Sequence, residues 1–176
     1  NSLGGLNCAP VHVGMRELWE TYLAPFQAAI RDAGLARMMN AFPQLDGEVV
    51  AASRKILTGL LRDKLHFNGI AISDAMNMGA LTKYYKPGEA EALSLIAGMD
   101  VLEYVTDPEL AINMVIEKIK KGEVSEESIN LKCRKVLAAK YWAGLDKVKE
   151  IKIKGLKEDL SDSKTNALIR DLYAGS

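Results

Sequence analysis

The sequence has little of what several common protein classes need, and each shortage narrows the field. Only two cysteines occur in 176 residues, Cys8 and Cys133. Two isolated cysteines make no disulfide framework, and neither has metal-ligand spacing with His12 or His66, the only histidines. No metal and no cofactor is expected, and buried free thiols are the expected state. Charge of one sign is not in excess, with Lys+Arg 23 against Asp+Glu 23. That balance argues against nucleic acid or an anionic membrane as partner. No apolar run approaches the ~20 residues that span a bilayer. The start at Asn1 has neither a positive n-region nor an apolar core, and without an initiating Met it reads as a trimmed piece. No glycine-rich phosphate loop follows any apolar run, which argues against a phosphate-handling barrel enzyme.

What is present is an alternation of apolar strands and amphipathic helices. Residues 6–11 read as a short strand closed by Pro10. A helix follows with Leu18, Tyr22 and Phe26 at four-residue spacing; Pro25 kinks it or begins a second segment, and Gly34 stops it. Residues 35–42 read as a strand and 43–47 as a loop. Ser53 is placed to cap a strong helix with Ile56, Leu57, Leu60, Leu61 and Leu65 inward and Arg54, Lys55, Arg62 and Lys64 outward. Gly69 turns the chain into the strand that ends at Asp74, followed by a helix through Leu81 and another over 89–97. Residues 99–105 read as a fourth strand. Asp107-Pro108 starts a helix carrying Ile112, Val115, Ile116 and Ile119, and Ser125 caps a last long helix stopped by Gly144. From Lys147 the chain turns polar and Lys-rich.

This alternation predicts the α/β class with a parallel sheet and crossover helices. The units have the size of (β/α) barrel units, and a complete barrel needs ~250 residues and eight strands. The expected architecture is about half of a TIM-like barrel plus C-terminal helices. Residues 1–146 would form that domain, and 147–176 a polar linker or tail. A half-barrel exposes two sheet edges, which a homo-oligomer would cover.

Asp74 ends the run Gly69-Ile70-Ala71-Ile72-Ser73-Asp74. A carboxylate at the carboxyl end of a buried strand sits where parallel α/β folds place their chemistry. The bland alternative is an N-cap of the next helix. Glu103 either shares the Asp74 pocket or pairs with a helix lysine. Arg37 and Asp46 are weaker pocket candidates.

The segments Arg16-Glu17-Leu18, Tyr22-Leu23-Ala24-Pro25-Phe26, Met38-Met39, Leu45-Asp46-Gly47, Leu60-Leu61-Arg62, Phe67-Asn68-Gly69 and Ser73-Asp74 stand in an order and spacing that resembles glycoside hydrolase family 3. Ala97-Gly98-Met99-Asp100-Val101-Leu102 and the run from Val124 to Leu145 extend the resemblance over nearly the whole chain. It implies a retaining β-glycosidase, either β-glucosidase or β-N-acetylhexosaminidase, acting on a terminal sugar of an oligosaccharide or β-glycoside. Asp74 corresponds to the catalytic nucleophile, with Ser73 and the following helix as donors to it. The family's barrel units between Val11 and Arg16, with their sugar-binding Lys-His pair and the hexosaminidase acid/base His, have no counterpart here. His12 is therefore the candidate proton donor, with an exposed loop histidine as the alternative. Met39, Phe42, Met76 and Glu103 are the candidate substrate contacts, though such methionines also simply pack cores. The competing function is a non-catalytic half-barrel, a binding or assembly module.

Overall fold

Parallel strand pairing organises the computed structural model, which describes residues 10–147, 150 and 153–175. The strands are β1 (Arg37–Met39), β2 (Gln44–Leu45), β3 (Glu48–Val49), β4 (Ile70–Ala75) and β5 (Val101–Glu103). Strands β1, β4 and β5 make one parallel sheet with β4 central, Met39 opposite Ile72 and Ile72 opposite Val101. The fold is α/β, part of a (β/α) barrel. The strand expected over 6–11 falls mostly outside the described residues; at its end Val11 bridges Leu45 in parallel.

Residues 43–47 are not a plain loop. Strands β2 and β3 pair antiparallel through Leu45 and Glu48. Asp46 and Gly47 turn the hairpin with φ of 51° and 84°, the left-handed pair that a two-residue hairpin loop requires. The fourth strand is also shorter than 99–105, because Tyr104 takes a φ of 51° and ends it.

Helices connect the strands. Helix α1 (Met15–Glu17) widens into a π turn at Leu18–Tyr22, and α2 (Ala24–Arg31) begins afresh with Pro25 in its first turn. The amphipathic segment forms a π-helix, Lys55–Lys64, ending with Leu65 N–H donating to Leu60 O at 2.9 Å. Ser53 Oγ accepts from Ile56 N–H at 3.3 Å, as a cap should, and also donates to Glu48 Oε2. Then come α3 (Gly79–Thr82), α4 (Glu89–Ala97), α5 (Pro108–Lys120) and α6 (Glu126–Trp142). Asp107 accepts from Leu110 N–H at 2.9 Å and Ser125 Oγ from Ser128 N–H at 3.2 Å. Both caps sit where the sequence puts them.

Side chains alternate across a strand. Met38, Ala71 and Leu102 pack with Leu57, Leu61, Phe67, Ala97 and Met99 against the helices. A second cluster gathers Phe42, Val49, Ala51, Met76, Ala80, Leu81 and Ala90. Burying each large apolar side chain contributes about 1.5–3 kcal/mol. The opposite face of β4 carries Ile70 and Ile72.

Arg62 is not outward. Its side chain is 16% exposed and the Asp100 side chain 2%, and the two meet at 2.6 Å. Arg62 also donates to Phe67 O and Gly69 O at 2.8 and 2.6 Å, and lies over the Phe67 ring. The cause is Asp100, a carboxylate buried at the foot of β5, which needs charged partners. Ala71 N–H donates to it at 2.9 Å, and Lys135 of α6 stands 3.3 Å from both oxygens. Gly69 lets the strand entry pack closely against its neighbours: a Cβ there would lie 2.4 Å from Ala36 O and 2.7 Å from the Phe67 ring.

The chain divides into two compact units, residues 1–139 and 140–176. The second contains the end of α6, then α7 (Leu156–Leu160) and α8 (Ser163–Ala174), the latter capped by Asp162 through Thr165 N–H at 2.6 Å. Cys133 is exposed, not buried, on α6, a helix that buries none of its residues; Cys8 lies outside the described residues. Among the described residues, no helix is long and apolar enough to cross a membrane.

Candidate active site

Asp74 is the penultimate residue of β4 and is half-buried. It caps no helix. The chain continues through Ala75 and a turn before α3 starts at Gly79, whose N-cap is Met78. Asp74 Oδ1 instead accepts from the adjacent Ala75 N–H at 2.7 Å, a charge-assisted bond that fixes the carboxylate at the sheet's carboxyl edge. The second oxygen has no hydrogen bond among the described residues. Ser73 is not its donor: the Ser73 hydroxyl is fully buried and accepts from Glu103 N–H at 2.9 Å. That bond bridges the register irregularity between β4 and β5, where Ile72 faces Val101 but Ala75 faces Glu103.

Glu103 ends β5 beside Asp74's neighbour Ala75, with its side chain exposed. Met39 ends β1 opposite Ile72, on the same sheet face, and is 60% exposed. Phe42 and Met76 are packed in the core at 1% and 2% exposure. Neither offers a surface to a sugar. His12 is an exposed loop residue, its Nδ1 3.5 Å from Asp46 Oδ1, tied to the β2–β3 hairpin. Arg37 starts β1, at the far end of the strand from Met39.

One group went unnoticed in the sequence. Asn40 follows β1 at the carboxyl edge, bonded through its N–H to Ile72 O at 3.0 Å. Its Oδ1 is buried and lacks any hydrogen bond among the described residues, although buried polar atoms are ordinarily satisfied. Nothing in the local pattern Met39-Asn40-Ala41 announces it.

A parallel sheet with crossover helices, bearing a fixed carboxylate at the carboxyl end of its central strand, defines a portion of a (β/α) barrel of the kind that carries chemistry at that edge. The chain belongs to glycosyl hydrolase family 3: the family description "Glycosyl hydrolase family 3 N terminal domain" matches residues 1–139. It is 32% identical over 157 residues to a β-xylosidase of Formosa agariphila, covering 85% of this chain and 22% of that protein. It is 31% identical over 134 residues to a lysosomal β-glucosidase of Dictyostelium discoideum, covering 74% and 16%. Among solved structures it is similar to a family 3 β-N-acetylglucosaminidase from Paenibacillus sp. str. FPU-7, with a TM-score of 0.75 and 25% identity, covering 84% of this chain and 30% of that one. The chain thus spans less than a third of the length of these relatives.

Proposed function

We propose that this chain is the nucleophile-bearing portion of a retaining exo-β-glycosidase, with Asp74 as nucleophile. The observation that carries the reading is the placement of Asp74: at the carboxyl end of the central strand, one oxygen held by Ala75 N–H and the other without a hydrogen bond among the described residues. Such a carboxylate attacks the anomeric carbon, forms a glycosyl ester and is released by water. Met39 and Glu103 flank it on the neighbouring strands, and Asn40 Oδ1 offers an acceptor to a sugar hydroxyl. Retention calls for an acid/base group ~5–5.5 Å from the nucleophile when both are carboxyls. His12 and Glu103 are the two side chains to test for that role. β-Xylosides, β-glucosides and β-N-acetylglucosaminides are the substrates to try, since relatives of all three kinds resemble this chain.

The test is release of an aryl leaving group from the three glycosides by wild type and Asp74→Ala. Equal, background-level release from both proteins would sink the catalytic reading. The open edges of β1 and β5 favour a second reading, a half-barrel that a further copy completes. Light scattering decides that one, and a monomer at high concentration rules it out.

A further inference from the structure

Glu91 is a carboxylate that the fold buries and leaves without a partner. It is 7% exposed, and no hydrogen bond or ion pair reaches it among the described residues. Glutamate is almost never buried this far unless something pairs with it. The residue stands in the first turn of α4, where a helix N-terminus favours the charged form. Close packing holds that turn in place. Gly88 precedes α4 with a φ of 80°, and a Cβ there would lie 3.0 Å from the Leu110 and Met114 side chains of α5.

Glu91 lines a cavity of about 280 Å³ between the segments that leave β4 and β5. That volume is near the lower end of the ~300–1,000 Å³ range of small-molecule sites. Met76, Leu81 and Ala90 give the cavity an apolar wall and belong to a buried cluster. Thr82, Tyr85 and Thr106 also line it, and their hydroxyls form no hydrogen bond among the described residues. Burial, and then the Glu89 charge, push the Tyr85 phenol up, which keeps it neutral. The remaining charge is mostly negative. Asp107 lines the cavity while one of its oxygens caps α5 through Leu110 N–H at 2.9 Å. Lys86 is the one cationic residue of the lining; it is exposed and pairs with neither carboxylate among the described residues.

We propose that this cavity is a binding site for a small organic ammonium ion. The charged end meets the Glu91 carboxylate and donates to the neighbouring hydroxyls, and the apolar body lies against Met76, Leu81 and Ala90. The aromatic ring of Tyr85 adds to the attraction for a cation. A bare metal ion would leave the apolar wall uncovered, and a neutral ligand would leave the carboxylate unpaired. The proposal does not depend on Asp74 as nucleophile.

The test titrates the whole chain, carrying isotope-labelled methionine methyl groups, with benzylamine at neutral pH and with benzyl alcohol as its uncharged counterpart. Benzylamine is expected to saturate at millimolar concentration and to shift the Met76 methyl signal. Benzyl alcohol should bind about tenfold or more weakly, the worth of a hydrogen bond to a charged group. Glu91→Gln should erase that preference, and Asp74→Ala should leave it intact. Absence of saturable benzylamine binding overturns the proposal, as do equal binding of amine and alcohol and full benzylamine affinity in Glu91→Gln. Loss of binding in Asp74→Ala alone would put the amine at the nucleophile, and displacement by an equal concentration of sodium chloride would mark an inorganic cation site; either overturns it too. Should Glu91→Gln fail to fold by circular dichroism, the amine-to-alcohol ratio and the Met76 shift in wild type decide alone.

Discussion

Arg62 and Asp100, 38 residues apart in sequence, meet at 2.6 Å beneath the sheet and tie the π-helix to the foot of β5. The pair is buried, and losing one partner strands the other's charge. Asp100→Asn is expected to lower unfolding stability by about 3–5 kcal/mol. Urea denaturation measures it; a change within about 0.5 kcal/mol, typical of surface sites, would contradict the clamp.

Gly69 offers an independent check of the same corner. Its missing Cβ would come within 2.4 Å of Ala36 O and 2.7 Å of the Phe67 ring. Gly69→Ala should therefore cost about 1–3 kcal/mol through backbone displacement. The reverse sign, stabilisation from a stiffer unfolded chain, would show that the strand entry has room to yield.

The Ser53 hydroxyl holds the Glu48 carboxyl below its ordinary value of 4.5, with burial opposing and Lys55 assisting. A carboxyl depressed on folding adds stability above its unfolded value, and that stability is lost as pH falls through the folded one. Ser53→Ala should move the Glu48 carbon titration upward and flatten the acid limb of the stability curve. An unmoved titration would mean that the hydroxyl bond does not persist in solution.

Lys132 of α6 has the opposite sign. Held below 10.5 in the folded chain by burial, with Asp100 opposing, it binds its proton less tightly there than when unfolded. Stability should then rise as pH climbs from the folded value towards 10.5. Lys132→Met should raise the thermal midpoint at pH 7 and weaken that alkaline rise. A lower midpoint would show that Asp100 depends on this lysine as well.

Local signals served the sequence reading well where one residue sufficed. Asp107-Pro108 and Ser125 marked the starts of α5 and α6, and Glu89–Ala97 was legible as a helix from pattern alone. The strand bearing Asp74 was legible for the same reason. The β2–β3 hairpin was missed although Asp46-Gly47 is a strong turn signal, because strands of two residues leave no alternation to read. Helical periodicity puts Arg62 outward because it sees only its own helix. Its partner is contributed by a strand 38 residues on, and no window of local sequence contains both. Asn40 and the burial of Met76 share that limit, since both depend on what neighbouring strands and helices bring.

The spacing of Ala71 and Asp74 along β4 has a further consequence. Ala71 donates to the Asp100 clamp, and Asp74 stands three residues on, about 10 Å away at ~3.3 Å per residue. Substitutions at that separation without shared partners add. The carboxyl edge of the strand can thus be substituted with little effect on folding, which depends on the foot of the same strand.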